Sequence, residues 1–158
     1  MFLNLNTDPR DHSSCALSYN EQEGWMQAIW RGYVDPIEAT RGAEAYLQRA
    51  STVPCEFLLN DNIQLTGPWF ESLDWLAEVW VPQASRLGLR YVAHTMQTDR
   101  EHDILTSRQF QHLPFELQIF HDIDDARHWL RQTRFQQGGA AGSASAAARQ
   151  GTSDAPRY

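Results

Sequence analysis

The sequence predicts an α/β fold in which a mostly parallel sheet with one antiparallel hairpin is flanked by about four helices. Two observations on the pattern of apolar residues lead to this prediction, and the length of the chain agrees with it. Five short segments have the composition of strands, and longer segments between them repeat apolar residues every three or four positions, as amphipathic helices do. Strands that alternate with such helices are typical of parallel sheets covered by helices. The length of 158 residues fits one domain.

The first two predicted strands form the hairpin, and a helix follows them. The strands are residues 13–19 and 25–30, and the polar segment 20–24 between them is typical of a turn. Asp35 can cap the helix, and Glu38, three residues later, completes a capping box. The order of the elements therefore starts as strand, strand, helix.

The middle of the sequence predicts an interior strand and the longest helix. Residues 55–60 form a short apolar run, which is typical of a strand covered on both faces. Gly67-Pro68 begins this helix, an apolar stripe of helical period covers residues 70–87, and Gly88 ends the helix as a left-handed cap. Pro82 lies inside the stripe and predicts a kink or break near Trp80, because proline has no N–H to donate.

Two strands and two helices complete the predicted order. Residues 89–95 and 116–120 are strands, the first of them rich in β-forming side chains. A short helix at 99–109 lies between these strands, and Asp122 caps a final helix after the second one.

The composition changes sharply after Phe135. Residues 136–158 are mostly Gly, Ala and Ser, and neither helical nor strand periodicity continues there. Such a segment buries too little apolar surface to offset the entropy lost on ordering. We therefore predict a single domain at residues 13–135, followed by a disordered tail at residues 136–158.

The charged residues exclude several classes of function. The formal net charge is −7, which argues against a nucleic-acid partner and against an anionic membrane surface. All 13 basic residues are arginine. A chain without lysine has neither a Walker A loop nor a Schiff-base lysine. We expect no cofactor.

Hydropathy and cysteine content predict a cytoplasmic protein. No segment approaches the roughly 18 consecutive apolar residues that cross a bilayer, so we expect no membrane insertion. The first residues lack the basic start and the apolar run of a signal peptide. Cys15 and Cys55 fit a reducing compartment as two buried small hydrophobic residues, and a disulfide or redox pair is the alternative.

Several short motifs occur together between residues 13 and 134. They are Asn60-Asp61-Asn62, Gly67-x-Trp69, Trp75, Trp80-x-Pro82, Gly88-Leu89-x-Tyr91-x-Ala93 and Phe120-x-Asp122-x-x-x-Ala126-x-x-Trp129-Leu130. As a set they resemble a family of small bacterial STAS/SEC14-like proteins, STAS being the domain shared by sulfate transporters and anti-sigma-factor antagonists. The resemblance implies a mixed sheet flanked by helices, which is the fold that the periodicity predicts independently.

The resemblance also bears on a phosphorylation switch. In anti-sigma-factor antagonists, a serine at the start of the helix after the central strand is phosphorylated and controls partner binding. The corresponding segment here, residues 61–67, lacks the Asp-Ser-Ser-Gly pattern of that family and offers only the hydroxyl of Thr66. This departure argues against a switch at Thr66.

Two histidine-containing segments are candidates for chemistry. On the final helix Asp124 and His128 stand four residues apart, as two metal ligands could, but acidic residues in a first turn also stabilise the helix dipole. His94 lies on a predicted strand and faces either a pocket at the strand end or the packed core. The sequence contains no zinc-binding or nucleophile motif. We therefore predict no catalytic residues and no metal ligands.

Polar and aromatic residues after the interior strand form the predicted binding surface. Asn60, Asp61 and Asn62, which we expect to end this strand, offer hydrogen-bonding groups, although Asn and Asp also stabilise turns through their own backbone. The helix start at Gly67 offers backbone N–H groups to an anion. Trp75 lies off the apolar stripe and either lines a surface or covers the edge of the core. The predicted binding residues are Asn60, Asp61, Asn62, Thr66, Gly67, Trp69 and Trp75.

The sequence leaves three functions open. We favour a non-enzymatic STAS-like module, regulatory or homodimeric, that binds a protein partner or a small ligand. The alternatives are a carrier of an apolar or lipid-like small molecule, and an enzyme whose site holds His94 or His121 beside a carboxylate. The carrier requires a cavity lined by aromatic side chains, whereas partner binding requires a flat exposed patch.

Overall fold

A six-stranded mixed sheet lies at the centre of the computed structural model, which describes residues 2–67, 73–100 and 111–147. The strands lie side by side in chain order and are β1 (Phe2–Thr7), β2 (Ser14–Asn20), β3 (Trp25–Tyr33), β4 (Phe57–Thr66), β5 (Tyr91–Thr95) and β6 (Glu116–Phe120). The β1–β2 and β2–β3 pairs are antiparallel, and β3 to β6 run parallel. The predicted α/β class is confirmed.

Helices cover this sheet. They are α1 (Pro36–Ala50), α2 (Leu73–Trp75), a π-helical turn (Leu76–Trp80), α3 (Val81–Arg86) and α4 (Ile123–Ala147). The π-helical turn joins α2 to α3 without a break, and the three together are called the α2–α3 segment. Counting this segment once, three helical bodies and a short 3₁₀ helix (Thr98–Arg100) lie in the described ranges, where about four helices were expected. Most of the helix predicted at 99–109 falls outside those ranges.

β1 adds to the predicted topology. It pairs antiparallel with β2 and so places a second antiparallel pair beside the predicted hairpin. Residues 3–6 alternate apolar and polar, which is a strand signal. This signal precedes residue 13, where the predicted domain begins.

Capping side chains define the starts of α1 and α4, as predicted. The Asp35 carboxylate accepts a hydrogen bond from the Glu38 N–H at 2.9 Å, and the Glu38 carboxylate accepts one from the Asp35 N–H at 3.0 Å. At α4, the Asp122 carboxylate accepts hydrogen bonds from the N–H groups of Asp124 and Asp125. Each cap satisfies N–H groups that have no partner inside the helix.

A π-helical turn interrupts the regular α-helical hydrogen bonding next to Pro82, where the sequence predicts a kink or break near Trp80. The Val81 N–H donates to the Leu76 carbonyl, five residues back. Pro82 follows in the first turn of α3, where its missing N–H is tolerated. After α3, Gly88 has a φ of +105°, and the Leu89 N–H bonds back to the helix. The Gly88 cap is confirmed, and the irregularity expected near Trp80 takes the form of a π-helical turn in a continuous segment.

α4 continues beyond the composition change at Phe135. Its backbone is helical to Ala147, which differs from the disordered tail predicted for residues 136–158. Five alanines lie in residues 136–147, and alanine has the highest helix propensity, so the helix propagates from its packed part. Residues 148–158 lie outside the described ranges, and the domain boundary stays a prediction. None of the described helices is both long and apolar enough to cross a bilayer.

The two faces of the sheet carry different helices. α4 packs on β4, β5 and β6, whereas α1 contacts β1, β2 and the α2–α3 segment. Neighbouring side chains of a strand point to opposite faces. On β4, Asn60 therefore points towards α1 and Asp61 towards the α4 face.

Candidate functional site

A largely apolar cavity of about 130 Å³ lies between the sheet, α1 and the α2–α3 segment. Its apolar lining includes Trp30, Gly42, Ala43, Tyr46, Leu58, Trp80 and Phe115. Asn60, Asn62 and His94 add polar groups on the sheet side, and no charged side chain from the described part of the chain lines the cavity. The site therefore combines aromatic walls with a small polar region.

Strand register brings the side chains of Asn60 and His94 together. Asn60 and His94 are paired across β4 and β5, so both point to the same face. Asn60 Nδ2 lies 2.9 Å from His94 Nδ1, and the Trp30 indole Nε1 donates to Asn60 Oδ1 at 3.0 Å. Three side chains thus form a hydrogen-bonded chain from β3 to β5.

This chain sets the position of the His94 hydrogen. An indole N–H only donates, so the Asn60 oxygen faces Trp30 and the Asn60 NH2 faces His94. The amide therefore donates to Nδ1, and the ring hydrogen lies on Nε2. Burial lowers the pKa of His94 to about 4, and the charge of Asp61 acts in the opposite direction. The imidazole is neutral at pH 7.

A β-bulge brings Asn62 to the cavity. Between two regular pairs, β3 has the single residue Trp30 where β4 has both Asn62 and Ile63, and such an extra residue re-aims side chains. Asn62 is 6% exposed and lines the cavity. Its Oδ1 accepts no hydrogen bond from any residue that the structure describes. A buried polar atom left in this condition costs about 1–3 kcal/mol.

Aromatic contacts fix the α2–α3 segment against its neighbours. The ring centroids of Tyr46 and Trp80 are 5.3 Å apart, and those of Trp80 and Phe115 are 6.3 Å apart. The Trp80 indole N–H donates to the Ala43 carbonyl at 3.0 Å, which ties the π-helical turn to α1. The cavity wall is therefore held in place by both packing and a hydrogen bond.

Small residues on α1 keep the cavity open. Gly42 lies so close to the Trp30 ring that a Cβ at this position would overlap it. Ala39 and Ala43, four residues apart and hence on one helix face, add only methyl groups to the lining. A larger side chain at either alanine would occupy the cavity.

The prediction that Asn60, Asp61 and Asn62 end the interior strand is wrong, because β4 continues to Thr66. Asn60 and Asp61 pair with β3 on one side and β5 on the other. Asp61 also accepts a hydrogen bond from the Thr95 hydroxyl at 2.8 Å. Asp61 also keeps a local turn contact, because its Oδ1 accepts a hydrogen bond from the Ile63 N–H at 3.1 Å, so the sheet pairing adds to this contact and does not replace it.

The structure separates the predicted binding residues. Asn60 and Asn62 line the cavity, whereas Asp61 belongs to the opposite face. Thr66 is exposed, and Gly67 after it has a φ of +94°. The half-buried Trp75 is not part of the cavity lining, and Trp69 lies outside the described residues.

Sequence reasoning missed Trp30 and Gly42 as parts of the site. A glycine inside a helix costs about 1 kcal/mol relative to alanine, so its presence in α1 is a signal of close contact. For His94, both interpretations hold in part, because the ring is hydrogen-bonded in the core and also lines the cavity.

The other candidate groups lie apart from the cavity. His121 is exposed, and its Nδ1 lies 3.0 Å from the Met96 carbonyl. Asp124 forms an ion pair with Arg127 at 3.3 Å, while His128 is exposed. These contacts support the interpretation of the acidic residues as part of the first turn of α4.

One carboxylate cluster lies near the start of α1. Ligand atoms of Asp8, Asp11 and Glu38 lie within 4.8 Å of one another. Each carboxylate already accepts a hydrogen bond within the protein, including those from the Ser13 N–H and hydroxyl, both at 2.9 Å. These bonds account for the cluster as the support of the β1–β2 turn.

Both cysteines are buried and free, which confirms their interpretation as small hydrophobic residues. Burial raises the pKa of Cys15 to about 12 and also raises the pKa of Cys55. Neither thiol is therefore ionised at pH 7, and neither is activated as a nucleophile.

Comparisons with family models, with curated proteins and with solved structures gave no match. The resemblance to STAS/SEC14-like proteins accordingly stays a prediction. A functional proposal for this chain therefore depends on the geometry of the cavity.

Proposed function

We propose that this chain binds a small, largely apolar molecule in the cavity between α1, the α2–α3 segment and the sheet. The observation that carries the proposal is an aromatic-lined cavity of about 130 Å³ with a few polar groups on one side. Apolar linings with a few placed polar groups are typical of small-molecule sites. An engineered apolar cavity of about 150 Å³ in another protein binds benzene, so a single ring is the appropriate ligand size.

The packing around the cavity supports this proposal. Protein interiors are normally packed as densely as organic crystals. Side chains that line a cavity have fewer packing contacts than those in the filled part of the core. A bound molecule restores the missing contacts and offsets that loss.

The distribution of exposed apolar side chains favours a ligand over a protein partner. The large apolar side chains exposed in the described ranges are Tyr33, Ile37 and Phe135. Ile37 lies on α1 and Phe135 on α4, which pack on opposite faces of the sheet. Ile37 and Phe135 therefore do not belong to one flat patch of the kind that partner binding requires.

Titration of the full chain with toluene, followed by calorimetry, tests the proposal. We expect saturable binding of one molecule per chain. Ala43→Leu fills the cavity and should weaken binding at least tenfold, whereas Glu44→Leu, at the exposed neighbouring position, should leave it unchanged. Ala43→Val serves where the leucine variant does not fold. Absence of saturable binding by toluene, benzene and phenol would contradict the proposal.

A further inference from the structure

One hydrogen-bond acceptor in the polar region of the cavity has no donor among the described residues. Asn62 Oδ1 is buried and accepts no hydrogen bond from the described residues, although its side chain lines the cavity. Asn60 differs from it, because both Asn60 amide atoms already have partners in Trp30 and His94. Asn62 is therefore the residue whose hydrogen-bonding capacity a ligand can use.

The lining excludes a charged ligand. No carboxylate, guanidinium or ammonium group from the described part of the chain reaches the cavity. His94 is neutral at pH 7, since burial holds its pKa at about 4. An ion in this cavity would lose its hydration without gaining a counter-charge, which is costly.

The walls favour an aromatic ring. Trp30, Tyr46, Trp80 and Phe115 all line the cavity. Aromatic rings attract one another in tilted and edge-to-face arrangements, and Tyr46, Trp80 and Phe115 already adopt such geometries among themselves. A ring bound in the cavity against them extends the same packing.

We propose that the cavity selects an uncharged single-ring aromatic ligand that carries one hydroxyl group, with this hydroxyl donating a hydrogen bond to Asn62 Oδ1. A simple phenol is the chemical class. This inference rests on the proposed function, since it names the ligand class for the same cavity. It adds that an unpaired acceptor, rather than apolar volume alone, decides which ring is bound.

Phenol and toluene test this inference because they have the same shape and differ in one hydroxyl or methyl group. Calorimetric titration of the full chain should give a dissociation constant for phenol equal to or below that for toluene, although the hydroxyl is better hydrated in water. Tighter binding of toluene would overturn the inference and leave the proposed function intact. Absence of binding by either compound would overturn both.

The variant Asn62→Leu isolates the hydrogen bond. Leucine has the same number of side-chain heavy atoms as asparagine and removes a buried polar group that lacks a partner, so we expect the variant to fold. The ratio of the toluene to the phenol dissociation constant should fall at least tenfold relative to the parent chain. An unchanged ratio would overturn the inference. Where this variant does not fold, the comparison of the two compounds on the parent chain decides.

Gln64→Leu is the matched control for that variant. Gln64 lies two residues further along β4, is exposed, and accepts a hydrogen bond from the Arg31 side chain at 3.0 Å. The same change from amide to leucine there should leave the ratio of the two dissociation constants unchanged. A fall of the ratio in both variants would overturn the assignment of the hydrogen bond to Asn62.

Discussion

The two faces of the sheet are packed to different degrees. On the α4 face, the rings of Phe57 and Tyr91 stack at 5.1 Å, and Trp129 contacts Tyr91 at 6.4 Å and Phe120 at 5.8 Å. On the α1 face, the same strands border a cavity of about 130 Å³. Alternate residues of β4 and β5 thus face densely packed aromatic side chains on one side and the cavity on the other.

The helices, rather than the sheet, account for this difference. α4 presents Trp129 and Leu130 to the strands, whereas α1 presents Ala39, Gly42 and Ala43 to the cavity. Small side chains on one helix and large ones on the other decide where space remains. A binding site can therefore exist on one face while the opposite face supplies stability.

Truncation of a large apolar side chain should show the difference in packing between the two faces most clearly. Leu130 in α4 is fully buried, and Leu130→Ala should lower the free energy of unfolding by about 2–5 kcal/mol. Leu58→Ala on the cavity face should cost less, because part of the Leu58 side chain already borders empty space. Denaturant unfolding measures both. A larger loss for Leu58→Ala would contradict the assignment of the two faces.

The pH dependence of stability tests the burial of His94 on the cavity face of the sheet. Burial lowers the pKa of His94 to about 4 in the folded chain, from 6.5 in the unfolded one. The unfolded chain therefore binds a proton first, and stability falls as the pH drops from about 6.5 to about 4, by about 3 kcal/mol.

His94→Gln is the control for this titration, because glutamine does not titrate. Unfolding of the parent chain and of the variant, measured from pH 7 to pH 4, gives the His94 contribution as the difference between the two slopes. Equal slopes would show that the imidazole is not held neutral in the folded chain.

Enlargement of one alanine on each face should change the free energy of unfolding by a smaller amount, and the two faces should respond differently. Ala126 in α4 is fully buried, and Ala126→Leu should lower the free energy of unfolding by about 1–3 kcal/mol through overpacking. Ala43→Leu fills the cavity, so its cost should be smaller or its effect stabilising. Thermal unfolding of the two variants compares them directly, and equal losses would indicate that the α1 face is as densely packed as the other.

The smallest effect should come from the polar attachment of α4. Arg131 pairs with Glu23, and its guanidinium lies 5.9 Å from the Trp25 ring centroid. The Arg131 side chain is about half exposed, so solvent screens the pair. Arg131→Ala should lower the free energy of unfolding less than any of the destabilising variants above, and less in high salt than in low salt, as measured by denaturant unfolding.

Local chemistry explains which parts of the fold could be predicted. The capping box of Asp35 and Glu38, the cap at Asp122 and the left-handed Gly88 each depend on a few neighbouring residues. The π-helical turn next to Pro82 follows from the same kind of local rule. These signals can be recognised in the sequence because the residues that form each of them are close neighbours along the chain.

The site itself depends on contacts between distant residues. Asn60 takes part in β4 because β3 and β5 pair with it on both sides, although its residue type is typical of turns. The approach of Gly42 to Trp30 joins positions on two different elements. The bulge at Asn62 exists only in the register between β3 and β4. A single sequence records none of these pairings.

The chain of hydrogen bonds from Trp30 through Asn60 to His94 has a direction. An indole can only give a hydrogen, so the amide has one allowed orientation, and the imidazole in turn has one allowed arrangement of its two nitrogens. Trp30→Phe would remove the fixed end of this chain, and both the amide and the ring could then reverse. A residue on β3 therefore determines what a group two strands away offers to its surroundings.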